Sequence, residues 1–210
     1  MAIDELLDEH EQSERVRDWL RRNGAGLAGG VLIGLALIAG WRWWEARQHA
    51  EHVQAGEDYQ AVQDSLVSSN LELADRQRQG LGTGAYVTLA ALDLAKAQLE
   101  AGQRDAAIAT LRGLEDVDAS LVQVVDQRLA RLLIDAGKHQ EALQLLSGSE
   151  DAASLEIVGD AQAALGKADE ARKAYANALI RLDVASPQRR LIEIKLTNVG
   201  GVPAQPEAST

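Results

Sequence analysis

Three segments of the chain lie over one another in a single register, set by Gly102, Gly137 and Gly166 in AQLEAGQRDAAIATL, RLLIDAGKHQEALQLL and AQAALGKADEARKAY. The glycines stand 35 and 29 residues apart, a period that belongs to helix-pair repeats. Seven residues before each glycine is a small residue, Ala95, Ala130 and Gly159, preceded by a branched apolar one, Leu94, Leu129 and Val158. Five residues after each is an alanine, Ala107, Ala142 and Ala171, and nine after each is a larger core residue, Leu111, Leu146 and Tyr175. This pattern reads as a helical hairpin. Glycine serves the turn by accepting a left-handed backbone, and the small residues let two antiparallel helices approach closely. Asp105 and Asp169 are expected as N-caps of the second helices.

One hairpin cannot bury its apolar face, so neighbours stack into a right-handed array with a concave inner wall. The pairs are expected over 85–115, 120–149 and 152–183. Pro187 opens a last helix to Asn198, whose LIEIKL pattern can cover the end of the stack. The repeat domain is thus placed at 85–198, with a disordered tail over 199–210. Abundant Ala, Leu, Gln and Glu with only 3% aromatic residues agree with an all-α fold and exclude an all-β one.

Ahead of the repeats, Gly24 to Trp41 reads GAGLAGGVLIGLALIAGW without a charge, and Trp43 and Trp44 extend it to a transmembrane helix over 24–44. Trp41, Trp43 and Trp44 form an aromatic belt at its end, where indole rings favour the headgroup region. A cleaved signal peptide fits less well, because the segment before the run is long and acidic and LIAGWRWW offers no small-residue cleavage site. Gly26, Gly30 and Gly34 have the spacing that admits a second helix, a spacing also explained by the frequency of glycine in membrane helices. Arg15, Arg17, Arg21 and Arg22 precede the span and only Arg42 and Arg47 closely follow it, so the N-terminus is expected in the cytoplasm and the large domain across the membrane.

Residues 1–23 read as an acidic cytoplasmic tail, solvated or serving as a short docking peptide. Residues 45–84 read as membrane-proximal helices and a linker: a helix from Glu45 broken at Ser68, Ser69 and Asn70, a short helix over 71–79, and a flexible GLGTG over 80–84. That glycine cluster lacks the preceding strand and following Lys-Ser/Thr of a phosphate loop.

The repeat positions resemble the tetratricopeptide repeat. The arginine-flanked span ending in GWRWW, the repeats and LIEIKLTN together resemble the YfgM family, ancillary subunits of the SecYEG translocon. The resemblance implies a single-span protein of the bacterial inner membrane with its repeat domain in the periplasm. It further implies association with SecYEG and the anchored periplasmic chaperone PpiD, a role in helping secreted clients leave the channel and, in some members, a cytoplasmic contact with the response regulator RcsB.

No catalytic residue is expected. The chain lacks cysteine, a Gly-x-Ser-x-Gly elbow and a His-Glu-x-x-His pair, which removes thiol, serine-hydrolase and zinc-hydrolase chemistry in their usual forms. His49 and His52 share a helix face after Glu45 but have no third strong ligand, so neither metal nor cofactor is expected. A net charge of −11 without a Lys/Arg cluster argues against nucleic acid and for protein or lipid partners. Function is therefore sought on the concave wall, built from the first helix of each pair. The candidates are Leu92, Lys96 and Glu100, then Gln127, Arg131 and Asp135, then Glu156 and Asp160. Lys96 and Arg131 recur six residues before the turn glycine, where they either orient a partner's carboxylate or carbonyl or pair with Glu100 and Asp135 four residues on. The leading reading is a binding module that accompanies protein export; the alternative is a non-catalytic scaffold for another envelope complex.

Overall fold

The computed structural model describes the backbone of residues 2–82 and 84–203, and the side chains of these from residue 17 onward except 51 and 52. Among the described residues every regular element is an α-helix. The order is α1 (Ala2–Val67), α2 (Leu71–Gly80), α3 (Ala85–Glu100), α4 (Arg104–Arg112), α5 (Val122–Asp135), α6 (His139–Leu145), α7 (Ala152–Ala164), α8 (Ala168–Arg181) and α9 (Gln188–Asn198).

The chain divides into two units, Met1–Gln54 and Ala55–Thr210. The first consists of the N-terminal part of α1. Its backbone is helical from Ala2, so the acidic segment ahead of the apolar run continues the same helix, and acidic residues at a helix start complement its dipole. The helix is long and apolar enough to cross a membrane, and its apolar side chains, among them Leu32, Ile33 and Leu37, are exposed. Trp41 and Trp44 meet with ring centroids 5.5 Å apart, and the Arg47 guanidinium lies 5.9 Å from the Trp43 ring centre. The remaining tryptophan, Trp19, is also exposed. At 1.5 Å per residue it stands about 33 Å along the helix from Trp41, close to the thickness of a hydrocarbon core.

The second unit is a stack of helical hairpins. Gly102, Gly137 and Gly166 take φ of 76°, 75° and 74°. Each ends its helix with the same paired bonds. For Gly102 these are its own N–H donating to Leu99 O at 2.9 Å and the Gln103 N–H donating to Gln98 O at 2.7 Å. Gln103, Lys138 and Lys167 are the N-caps of the helices that follow, without a side-chain cap bond. Asp105 and Asp169 are thus not N-caps. The turn uses one residue after glycine before the next helix begins, which moves both aspartates into the first turn, where the dipole still favours them.

The same turn occurs at two places that lack the expected glycine pattern. Ser69, with φ 58°, ends α1 through its N–H to Leu66 O and the Asn70 N–H to Ser65 O, both 2.9 Å. Val62 and Ala74 occupy the seven-before and five-after positions and are fully buried. The segment of α1 from Ala55 and α2, read as membrane-proximal helices outside the repeat domain, therefore form a hairpin in register with the array. Leu81, within the glycine loop read as flexible, is buried in the same cluster. At the other end Gly200, with φ 79°, closes α9 in the same way, and Arg172 Nη1 donates to Val199 O at 2.7 Å. Residues 199–201 thus belong to the cap of α9 and not to a tail; residues 204–210 lie outside the described residues.

The positions picked by the repeat pattern fill the core. Ala107, Ala142 and Ala171 are buried at the crossings, with Leu111, Leu146 and Tyr175 beside them. Four residues before the turn and eight after it, the two helices of a hairpin meet again. This pair is Ser65 with Gln77 (2.6 Å) in the first hairpin, Gln98 with Thr110 (2.8 Å) in the second, and apolar Leu133 with Leu145 in the third. A buried polar pair that satisfies itself substitutes for an apolar one at little cost.

Candidate functional site

The first helices of successive hairpins, α3, α5 and α7, bring the candidate residues onto related faces, α9 closes the stack beyond them, and the stack treats its two halves differently. In the C-terminal half, α5, α7 and α9 are tied by an ion-pair ladder. Arg131 Nη2 donates to Glu156 Oε2 at 3.0 Å, while Lys195 Nζ donates to Glu156 Oε1 at 2.6 Å and to Asp160 Oδ2 at 2.7 Å. Tyr175 OH donates to Asp160 Oδ1 at 2.8 Å. Burial pushes the Glu156 carboxyl up, but the bonds and charges of Lys195 and Arg131 outweigh it and hold the group below its ordinary value. Gln127 is turned toward α7, where its Nε2 donates to Asp151 Oδ1 and Ser154 Oγ, both 3.0 Å. Glu156, Asp160 and Gln127 are thus committed within the fold and hold hairpins together.

In the N-terminal half the helices stand apart. The connection between α4 and α5, residues 113–121, is longer than that between α6 and α7, and its Asp118 N–H donates to Thr88 Oγ1 of α3 at 3.1 Å. A cavity of about 620 Å³ opens between α3 and α5. Leu92, Lys96, Arg131 and Asp135 line it, as the sequence proposes, and so do Leu99, Val124 and Arg128, which the sequence reading left out. A signal for these was present: Leu92, Lys96 and Leu99, and Val124, Arg128, Arg131 and Asp135, recur at three- and four-residue intervals along one face of each helix. Glu100 is exposed at the end of α3, 3.9 Å from Lys96 Nζ. Arg131 does not pair with Asp135, as its spacing suggested; Asp135 accepts from Arg104 Nε of α4 at 2.5 Å, and Arg131 is drawn to the buried Glu156.

Asp93, also on the cavity wall, belongs to a second network. It accepts from Tyr59 OH at 2.8 Å and from Gln63 Nε2 at 2.6 Å. Burial and the neighbouring carboxylate push the Tyr59 phenol up to about 12, so it stays a donor at physiological pH. Through this network the part of α1 beyond Ala55 supports the wall of the cavity.

Among the described residues no group of three or more His, Cys, Asp or Glu side chains is arranged to hold a metal; the His52 side chain lies outside those residues. The arrangement contains charged networks and an apolar cleft, which suit the recognition of another chain.

A stack of hairpins closed by left-handed turns and built on shared small and large positions defines a tetratricopeptide repeat-like protein, and residues 17–201 match the family model of that description. Similar proteins include one from Escherichia coli strain K12 named ancillary SecYEG translocon subunit, 30% identical over 91% of this chain and 97% of its own length. Proteins of the same name from Haemophilus influenzae, 25% identical over 92% of this chain and 98% of theirs, and from Aggregatibacter actinomycetemcomitans, 23% identical over 92% and 98%, are also similar. The chain belongs to the YfgM family of ancillary SecYEG translocon subunits.

Proposed function

We propose that this chain is a non-catalytic docking subunit that accompanies the SecYEG channel in the bacterial inner membrane. In this reading the helix through 24–44 is the anchor, the N-terminus lies in the cytoplasm and the repeat array works in the periplasm. The arginine excess before the span supports that orientation. One observation carries the reading: the likeness to proteins named ancillary SecYEG translocon subunit runs through nearly the whole chain, taking in both the apolar helix and the repeats.

The physical logic is effective concentration. A tether beside the channel keeps the binding surface at a local concentration on the order of millimolar, so weak and reversible contacts become useful. The contacts proposed for the array are a PpiD-type anchored chaperone and secreted clients leaving the channel, with handover between them as the outcome. The acidic N-terminal segment is the part offered to a cytoplasmic regulator such as RcsB, and the tryptophans engage lipid headgroups.

The test is photocrosslinking in intact membranes from a reactive residue placed at Lys96 of the full chain, followed by identification of captured proteins. Capture of channel or chaperone components is the expected result. Consistent capture of some other envelope machinery overturns the export reading in favour of a general scaffold. Protease shaving of spheroplasts checks orientation, because a repeat domain resistant to external protease contradicts it.

A further inference from the structure

The docking reading leaves open where on the array a partner sits and what chemistry it has. Resting on that reading, we propose that the docking position is the cleft between α3 and α5, and that its ligand is a polypeptide segment bearing large apolar side chains flanked by carboxylates.

The location follows from what the fold has already used. Along α5, α7 and α9 the wall is closed by Arg131, Glu156, Asp160 and Lys195, whose charges satisfy one another. Opening that half for a ligand strips a buried carboxylate of its partners, which is costly. Between α3 and α5 nothing needs to be broken. The cavity of about 620 Å³ is within the range of ligand sites and has room for a few leucine-sized side chains. Its apolar surface comes from Leu92, Leu99, Leu132 and Val124, of which Leu99 and Val124 are 41% and 39% exposed.

The ligand's charge follows from which groups at the rim remain unsatisfied. The acids there are engaged within the fold: Asp93 accepts from Tyr59 and Gln63, and Asp135 accepts from Arg104. The cations are not engaged to the same degree. Among the described residues Lys96 has only a 3.9 Å contact with Glu100, in which both side chains are largely exposed and which contributes little. Arg128 is exposed at the cleft and, among the described residues, has no ion pair or hydrogen bond. In a chain of net charge −11, an apolar cleft rimmed by two available cations selects acidic neighbours for whatever apolar group it takes. A guanidinium and an ammonium on adjacent helices can each bond a carboxylate at a different turn of the bound segment.

The experiment uses the full chain in lipid nanodiscs and fluorescence anisotropy of labelled synthetic peptides. One peptide carries leucines on one helical face flanked by glutamates, a second replaces the glutamates with lysines, and a third replaces the leucines with serines. The first should bind best and lose affinity as salt rises. The double variant K96E/R128E should weaken it about tenfold and favour the lysine peptide. Leu99→Asp with Val124→Asp should abolish binding of both leucine peptides. All four positions are exposed, and circular dichroism confirms that the variants fold. Equal affinity for the glutamate and lysine peptides, or indifference to K96E/R128E, overturns the proposal, and so does binding of the serine peptide as tightly as the first. Failure of the unaltered chain to capture channel components overturns the export reading alone, since the peptide measurement requires no channel.

Discussion

Gly159 and Tyr175 occupy one space: a Cβ placed on Gly159 comes within 2.4 Å of Tyr175 Cε1 and 2.6 Å of its Cδ1. The equivalent pairs in the two preceding hairpins are Ala95 with Leu111 and Ala130 with Leu146, so the hairpin of α7 and α8 exchanges a methyl group on one helix for an aromatic ring on the other. Close-packed interiors tolerate such exchanges only when both partners change. Gly159→Ala should therefore destabilise the chain by about 1 to 3 kcal/mol, the usual range for overpacking. Tyr175→Leu should also destabilise, because it leaves space at Gly159 and removes the donor to Asp160. The double change restores the pair used elsewhere and should cost clearly less than the two single losses added together. Urea unfolding of the four proteins measures the coupling, and strict additivity would show that the two sites are independent.

Ser69 does with a side chain what the other turns do with glycine. Its φ of 58° lies in the left-handed region and its side chain is exposed. Ser69→Gly should relieve that conformation at the cost of a more flexible unfolded chain, with a net gain of about 0.5 to 1 kcal/mol. Gly137→Ala is the reverse experiment. A Cβ there meets nothing within 4 Å, so its loss of about 1 kcal/mol reports the backbone alone. A shift in urea midpoint of the same sign for both would contradict the shared turn geometry.

What was legible in the sequence follows from the same chemistry. Glycine in a left-handed turn leaves a mark because few other residues accept the conformation, and the three marked hairpins could be registered from Gly102, Gly137 and Gly166. Ser69 hid a further hairpin because serine gives no such mark, although Ala74 stands five residues on as the pattern requires. Gly200 was obscured by the polar, proline-containing sequence that follows it. On the concave wall the face of each helix could be read, but not which residues the fold itself employs. Glu156 meets Lys195 across 39 positions and Arg131 across 25, and a separation of that kind has no local signal. The cleft lies between α3 and α5, two helices apart in sequence, and their spacing appears only in three dimensions.

The ladder makes acid stability depend on Glu156. Its folded-state value lies below that of the unfolded chain. Its contribution is therefore complete above the ordinary glutamate range and is lost as pH falls through that range toward the folded value. Glu156→Gln should cost about 2 kcal/mol near neutral pH, since it removes the more buried of the two carboxylates that Lys195 and Arg131 share and leaves only Asp160 between them. The gap between variant and unaltered chain should close under acid conditions, where the glutamate is itself protonated. Urea midpoints across a pH series check this, and a gap that stays constant assigns the cost to shape instead of charge.

The tryptophans supply a direct measure of how α1 meets a bilayer. Trp19 lies about 33 Å along the helix from Trp41 by helical rise, so both ends can reach a headgroup region at once. Two single-tryptophan versions of the full chain, one keeping Trp19 and the other Trp43, isolate the two ends. In vesicles with a quencher attached near the headgroup, both should be quenched strongly, and with the quencher at the chain terminus near the bilayer centre both should be quenched weakly. An interfacial helix lying flat would likewise place its tryptophans shallow, so the apolar face must be read as well. A fluorophore on Ile33, in the apolar run between them, should be quenched most by the deep quencher if the helix spans. Shallow quenching at Ile33 as well as at both tryptophans would mean that the helix lies in the interface and would remove the anchor on which the proposed function depends.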